Sequence, residues 1–272
     1  MLASNLPSRE SYDPAYYAEL FAIEDRHFWF RARNYVIATL VRQITAGLPS
    51  GYRALEVGCG TGNVLRVMEQ ACSRGLVLGM DLFAEGLYYA RRRTGCPLVQ
   101  ADLHSPPFGT LFDLIGCFDV LEHLADDSQA LLDLRGLLAR DGVLLLTAPA
   151  HSSLWSYFDE ASHHYRRYEV SELESKLRKA GYQVDYSTQY MASIFPLLWL
   201  GRRLAGFIGR YTIGDSARAH NLAAGELHVT PVMNGLLTRL LTQEARAIAR
   251  RCRLPVGTSL LAIARKAPAI ED

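Results

Sequence analysis

Several functional classes are set aside by what this chain has little of. Lysine and arginine number 29 against 28 aspartates and glutamates, a formal net charge of +1, so no basic surplus marks a nucleic-acid partner. The five cysteines (Cys59, Cys72, Cys96, Cys117 and Cys252) are odd in number and contain no C-x-x-C pair. Several fall in or beside expected strands, the pattern of buried reduced thiols rather than of a disulfide framework. Histidines and cysteines do not cluster at metal-ligand spacing, so no metal is expected. Residues 1–11 are polar and hold no apolar signal core, which points to a cytoplasmic chain. Repeats and low-complexity tracts are also missing. What is left, 49% hydrophobic and 21% charged residues over 272 positions, fits one ordinary α/β domain with additions.

Against that plain background, residues 54–62 read Ala-Leu-Glu-Val-Gly-Cys-Gly-Thr-Gly. This is a short apolar strand running into three alternate glycines, Gly58, Gly60 and Gly62, with Glu56 two places before the first. Glycines at this spacing let the chain turn sharply and let a ligand lie almost on the backbone. A helix over 63–71 follows and aims its N-terminal amides at the loop, where a nucleotide-like ligand is the usual tenant. Further strands end in polar or turn-forming residues. One over 75–80 ends in Asp81, about twenty residues past the loop. One over 97–101 precedes Asp102 and Leu103, one over 112–118 precedes Asp119, and one over 142–147 precedes Ala148 and Pro149. Strands alternating with helices to about residue 150 predict a parallel sheet covered on both faces, which binds ligands at its carboxyl edge. A helix over 170–180 stopped by Gly181, a strand over 182–190 and a last strand over 259–264 complete the sheet.

The set Glu56-x-Gly58-x-Gly60-x-Gly62, Asp81, Asp102-Leu103 and the run from Phe118 and Asp119 to His123 covers about residues 50–190. As a set it resembles the class I S-adenosylmethionine-dependent methyltransferases. Within them it is most similar to the small-molecule enzymes related to the ubiquinone-pathway O-methyltransferases. The resemblance implies an α/β fold, a three-layer doubly wound seven-stranded sheet with its last strand antiparallel, and S-adenosyl-L-methionine as cofactor. It divides the chain into an N-terminal helical lid (1–50), a cofactor-binding core (51–190), a helical insertion between the last two strands (191–257), and the last strand with its tail (258–272). By role, Gly58 and Gly60, with Gly62 completing the loop, let the backbone meet the methionine part of the cofactor. Asp81 takes the ribose diol and Leu82 packs on the adenine. Asp102 accepts from the adenine amino group while Leu103 covers the ring, and Phe118 and Asp119 fall beside them. Taken singly, Asp81 and Asp102 also read as helix N-caps, and Glu56 also reads as a buried group bonded to loop amides.

Ahead of the core, a helix-prone stretch over 15–23 is followed by His27-Phe28-Trp29-Phe30 and a long helix over 31–45. Trp29 and Arg33 are placed near the cofactor, Arg33 as a bidentate grip on the methionine carboxylate; the same aromatics also suit docking of the helix on the core. Base candidates are His123, His151, His163 and His164, with His123 and His164 preferred. Residues 163–168, His-His-Tyr-Arg-Arg-Tyr, read as a polar handle for an acidic substrate or as a solvated basic loop. In the insertion, the apolar run 194–200 is too short to cross a bilayer. Together with Arg202, Arg203, Phe207, Ile208 and Arg210 it suits an amphipathic helix, serving as a lid, a dimer surface or a peripheral membrane contact through 194–210. A second amphipathic helix over 232–251 carries Leu236, Leu237, Leu240 and Leu241 for core packing.

Three functions follow from these observations. The first is methyl transfer to a small-molecule acceptor, most simply an oxygen nucleophile, with an apolar or lipid-like substrate left open by the insertion. The second is a nicotinamide-dependent oxidoreductase, although its G-x-G-x-x-G spacing is broken here, since Asn63 stands where the third glycine belongs. The third is a cofactor-binding module without turnover.

Overall fold

A computed structural model describes residues 16–207 and 230–267. The readings of residues 1–11 and of Arg203, Phe207, Ile208 and Arg210 lie outside the residues whose side chains it describes. Seven strands form one sheet: β1 (Arg53–Val57), β2 (Leu76–Asp81), β3 (Leu98–Gln100), β4 (Phe112–Phe118), β5 (Leu138–Pro149), β6 (Tyr182–Tyr190) and β7 (Ser259–Lys266). Their order is β3-β2-β1-β4-β5-β7-β6. The first five run parallel, and β7 is antiparallel to both of its neighbours. Chain direction across the sheet reverses between β1 and β4, which opens a crevice at the carboxyl edge beside the glycine loop.

Burial on both faces explains why the central strands read as nearly continuous apolar runs. Along β5, Val143 and Leu145 enter one core while Leu144 and Leu146 enter the other, the period of two that a pleated strand imposes. The first core packs against α2 (Phe28–Thr45), α3 (Asn63–Ala71) and α9 (Pro231–Ala249). The second packs against α5 (Asp127–Leu137) and α7 (Val170–Lys179). The remaining helices are α1 (Tyr16–Ile23), α4 (Ala84–Ala90), the short α6 (Tyr157–Ala161) and α8 (Phe195–Phe207). Three cysteines are buried, Cys96 is half-buried, Cys252 is exposed, and all five are free thiols. No helix of the described residues is long and apolar enough to cross a membrane.

Two boundaries differ from the sequence expectation. The aromatic stretch lies inside α2 rather than before it, because His27 adopts an extended conformation and its Nδ1 accepts from the Trp29 amide as an N-cap. Strand β5 begins at Leu138 instead of Gly142, since Leu138 pairs with Phe112 across an irregularity in the β4 register.

Gly62 also serves a different purpose from its two neighbours. It sits at φ +76°, and a Cβ built on it would come within 2.9 Å of the Ala90 backbone on α4. Gly62→Ala is expected to destabilise the fold by about 1–3 kcal/mol, combining left-handed strain with a clash against backbone. A denaturant midpoint measured beside that of the parent protein checks this, and an unchanged midpoint contradicts it.

Candidate active site

The glycine loop closes on the ends of two neighbouring strands. The amides of Gly58 and Cys59 both donate to the Met80 carbonyl, at 2.8 and 3.0 Å. The Gly60 amide donates to Asp81 Oδ2 at 2.7 Å, and the Phe83 amide donates to Asp81 Oδ1 at 2.9 Å. Asp81 therefore fixes the loop from the end of β2 while it also faces the cavity the loop encloses. A Cβ on Gly58 would fall 2.4 Å from Val120 Cγ2, so this turn leaves no room for a larger residue. Asp102 Oδ1 accepts from the His104 amide at 2.9 Å. No helix follows Asp102, so the N-cap reading gives way to a side-chain-to-backbone turn, and Asp102 too lines the cavity, together with Leu82, Leu103, Phe118 and Asp119.

That cavity, about 240 Å³, is unusual in its charge. Five carboxylates border it (Glu24, Glu56, Asp81, Asp102 and Asp119) against one guanidinium, that of Arg33. Glu56 is 2% exposed and its Oε2 has no hydrogen-bond partner among the described residues. Burial pushes the Glu56 carboxyl well above the usual carboxylate range, opposed by Arg33 and reinforced by Asp81. Burial also raises Asp81, less far, because the amides of Phe83 and Gly60 stabilise its charged form. Glu24 is paired with Arg93 and Asp119 with Arg33, which leaves Glu56, Asp81 and Asp102 without an ion-pair partner among the described residues, an acidic lining that favours a cationic ligand.

The N-terminal helices form one wall. Arg33 Nη1 donates to Asp119 Oδ2 at 2.9 Å and its Nη2 to Asn63 Oδ1 at 3.4 Å. Asp119 itself adopts φ +55° and accepts from Thr147 Oγ1 at 3.1 Å, an uncommon conformation for a residue with a Cβ. Arg33 thus reaches the cavity, but in this structure its guanidinium is engaged by Asp119. Trp29 lies over the Arg33 guanidinium, 4.9 Å from it, and does not line the cavity. Just past α1, Glu24 Oε2 accepts from Thr61 Oγ1 at 2.5 Å and from Arg93, whose Nη1 also donates to Thr61 Oγ1 at 2.6 Å. Sequence reading missed this clasp, since its members are 37 and 69 positions apart.

A second cluster stands at the end of β4. His123 lines the cavity, and its ring meets that of His164 edge-on with centroids 4.7 Å apart. His164 Nδ1 is 3.0 Å from Asp159 Oδ1, which also accepts from Arg167 Nε at 2.6 Å. Burial lowers His123 well below the usual histidine range, and the neighbouring His164 and His163 add to this. At neutral pH it is therefore an uncharged imidazole. Glu122, buried beside it, keeps its Oε2 without a hydrogen-bond partner among the described residues. Donor atoms of Glu122, His123 and His164 lie within 4.8 Å of one another, near enough to share a cation. The expectation that no ligand cluster exists is corrected here: 41 residues separate the two histidines, so no local spacing reveals it.

The other histidine readings divide. His151 bonds Gln189 and Glu169 and does not line the cavity, and His163 is exposed. The handle expected at 163–168 is not a substrate grip. Arg167 is buried against Asp159 and the Ala150 carbonyl, Arg166 pairs with Asp127, and the Tyr168 hydroxyl donates to Asp127. Asp159 did carry one local signal, the capping box from Ser156 that opens α6.

Comparison with known proteins agrees with this geometry. A family model for a methyltransferase domain matches residues 28–187. The chain is 32% identical over 108 residues to a ubiquinone biosynthesis O-methyltransferase of Haemophilus ducreyi, covering 36% of this chain and 45% of that one. It is 29% identical over 157 residues to the protein of that name from Xanthomonas axonopodis, covering 50% and 65%. The chain spans about half the length of the curated relatives it matches. Among solved structures, a TehB-like SAM-dependent methyltransferase from Corynebacterium glutamicum superposes with a TM-score of 0.51 at 18% identity, covering 93% of this chain and 100% of that one. At that identity the likeness concerns the fold.

Asp159 supplies a stability test. Burial alone would raise its carboxyl, but His164 and Arg167 overcome this and hold it at about 2, below the usual 3.8. A depressed carboxyl contributes stability that is complete above the unfolded value and is lost as pH falls from about 4 to about 2. Asp159→Asn is expected to cost about 2 kcal/mol at neutral pH and to flatten the acid limb of the stability curve in that window. Unchanged acid unfolding in the variant contradicts the assignment.

Proposed function

The chain belongs to the methyltransferase-domain family, and from that membership and the cavity's charge we propose that it transfers a methyl group from S-adenosyl-L-methionine to a small-molecule acceptor. One observation carries this reading above the others. The cavity beside the glycine loop is lined by five carboxylates and one guanidinium, with Glu56 Oε2 unpartnered among the described residues. A ligand bearing a sulfonium and an ammonium group satisfies those acids. A nicotinamide dinucleotide, with its anionic pyrophosphate, would set like charge against the acidic side chains of Asp81 and Asp102 and would leave Glu56 without a cation.

The residues present fit the cofactor. Glu56 would accept from the ammonium group, Asp81 from the ribose diol, and Asp102 from the adenine amino group, with Leu82 and Leu103 on the ring faces. Phe118 and Asp119 complete the wall, and Arg33 would share its guanidinium between Asp119 and the methionine carboxylate. Bound there, the cofactor supplies an electrophilic methyl group that needs no further activation. The chain's own work is to orient an acceptor and exclude water. His123, uncharged and on the cavity wall, is placed to take the proton of a hydroxyl acceptor, with His164, held by Asp159, behind it. An oxygen nucleophile suits this arrangement. Helices α1 and α2 act as a lid over the cofactor, and the insertion as a cover for the acceptor.

Asp81→Ala is expected to weaken binding of S-adenosyl-L-methionine by roughly 1–3 kcal/mol in calorimetry; equal affinity counts against the ribose assignment. His123→Ala should leave that affinity intact while lowering kcat about 10²–10⁴-fold, and a proportional loss of both would demote His123 to a structural role. Because Glu56 holds its proton above the usual range, a cationic ligand displaces that proton on binding. Affinity should therefore rise with pH and be accompanied by proton release, measured from the buffer dependence of the binding enthalpy. A Glu56→Gln variant should lose both effects. No methyl release onto any acceptor from a protein that binds the cofactor would favour a binding module.

A further inference from the structure

Strands β6 and β7 pair with Tyr190 opposite Ser259, and Ser259 also faces Pro149 at the end of β5. The insertion between β6 and β7 therefore leaves and re-enters the sheet at the carboxyl edge, the edge on which the cavity opens. Its helix α9 is fastened to the body at both ends. Asn234 accepts from the Phe28 amide and donates to the Arg26 carbonyl, each at 2.6 Å. Near the other end, Glu244 accepts from the amides of Ala192 and Ser193 at 2.9 and 2.7 Å.

The outward face of this fixed helix departs from that of an ordinary surface helix. Val232, Leu236 and Leu240 recur every four residues and are 85%, 61% and 45% exposed, with Met233 beside them. Arg239, Arg246 and Arg250 continue the same face toward the C-terminus and are exposed as well. On α8, Leu197 and Leu200 are exposed in the same way. Charge is partitioned to match: residues 191–257 hold nine of the 29 basic residues but three of the 28 acidic ones. The insertion thus carries a net charge of +6 while the rest of the chain carries −5.

We propose that the outward faces of α8 and α9 dock on an anionic lipid bilayer, apolar side chains entering the headgroup boundary and arginines meeting lipid phosphates. Exposed apolar residues interleaved with arginine are the signature of an interfacial helix, and an anionic surface complements a +6 segment. Two copies of the same cationic face would repel one another in a symmetric dimer. Docked this way, the end of α9 that is tied to Arg26 and Phe28 lies at the lipid surface. An acceptor drawn from the lipid phase follows only if the proposed methyl transfer holds; the docking does not depend on it.

The test is co-sedimentation of the full chain with vesicles of phosphatidylcholine alone or mixed with phosphatidylglycerol. The protein is expected to pellet with the mixed vesicles, to remain in solution with phosphatidylcholine alone, and to be released by raised salt. Leu236→Glu with Leu240→Glu should lower partition at least about tenfold, with affinity for S-adenosyl-L-methionine unchanged. Should that pair disturb folding, Arg239→Glu with Arg246→Glu reads the same surface. Failure to pellet with anionic vesicles, or undiminished partition of both variant pairs, overturns the proposal. So does concentration-dependent dimerisation abolished by the leucine pair, which would assign the face to a second copy. Vesicle binding without methyl transfer would leave the docking standing and refute the catalytic reading instead.

Discussion

The carboxylates gathered at the carboxyl rim of the sheet carry more negative charge than the arginines beside them neutralise, and much of the molecule is arranged around that imbalance. Glu56 and Asp81 come from adjacent strand ends, Asp119 from the next strand across, and Glu24 from just past α1, before the sheet begins. Arg33 ties α2 to Asp119, and Arg93 ties Glu24, just past α1, to Thr61 of the glycine loop. The N-terminal helices are thus held over the cavity by charge as well as by the apolar face that α2 buries. Removing either arginine would leave a carboxylate in a place where water reaches it poorly.

The backbone strain at the rim belongs to the same arrangement. Asp119 takes a left-handed conformation at the end of β4, where its amide bonds the Thr147 carbonyl and its carboxylate receives Arg33 and Thr147. Three residues on, the chain buries Glu122 and turns His123 toward the cavity. One strand end therefore delivers both the acid that anchors the roof and the imidazole that faces the ligand. On the neighbouring strand β1, one oxygen of Glu56 has no hydrogen-bond partner among the described residues.

How much of this was legible in the sequence depended on how far apart the partners lie. The strands themselves, the loop glycines and the acids at the ends of β2 and β3 are local signals, each within a few residues of a strand end, and the structure has them at the rim of the sheet. Gly62 looked like a third ligand-facing glycine, yet it serves the packing of α4, since the same left-handed conformation suits a close backbone approach of either kind. The six residues 163–168 misled for the opposite reason. Their charge suggested a free surface, but Asp127 and Asp159, met only in three dimensions, consume both arginines. The clasp of Glu24 with Arg93 and the meeting of His123 with His164 join segments with no periodicity in common, so no pattern within either segment announces them.

The clasp beside α1 has a consequence for salt sensitivity. Tyr17, Leu20 and Glu24 form part of the cavity wall, so the seat of that segment sets one side of the cavity. Glu24 and Arg93 are 8% and 3% exposed, and such a pair feels little of the ionic atmosphere outside. Raised salt, which loosens surface ion pairs, leaves this wall in place.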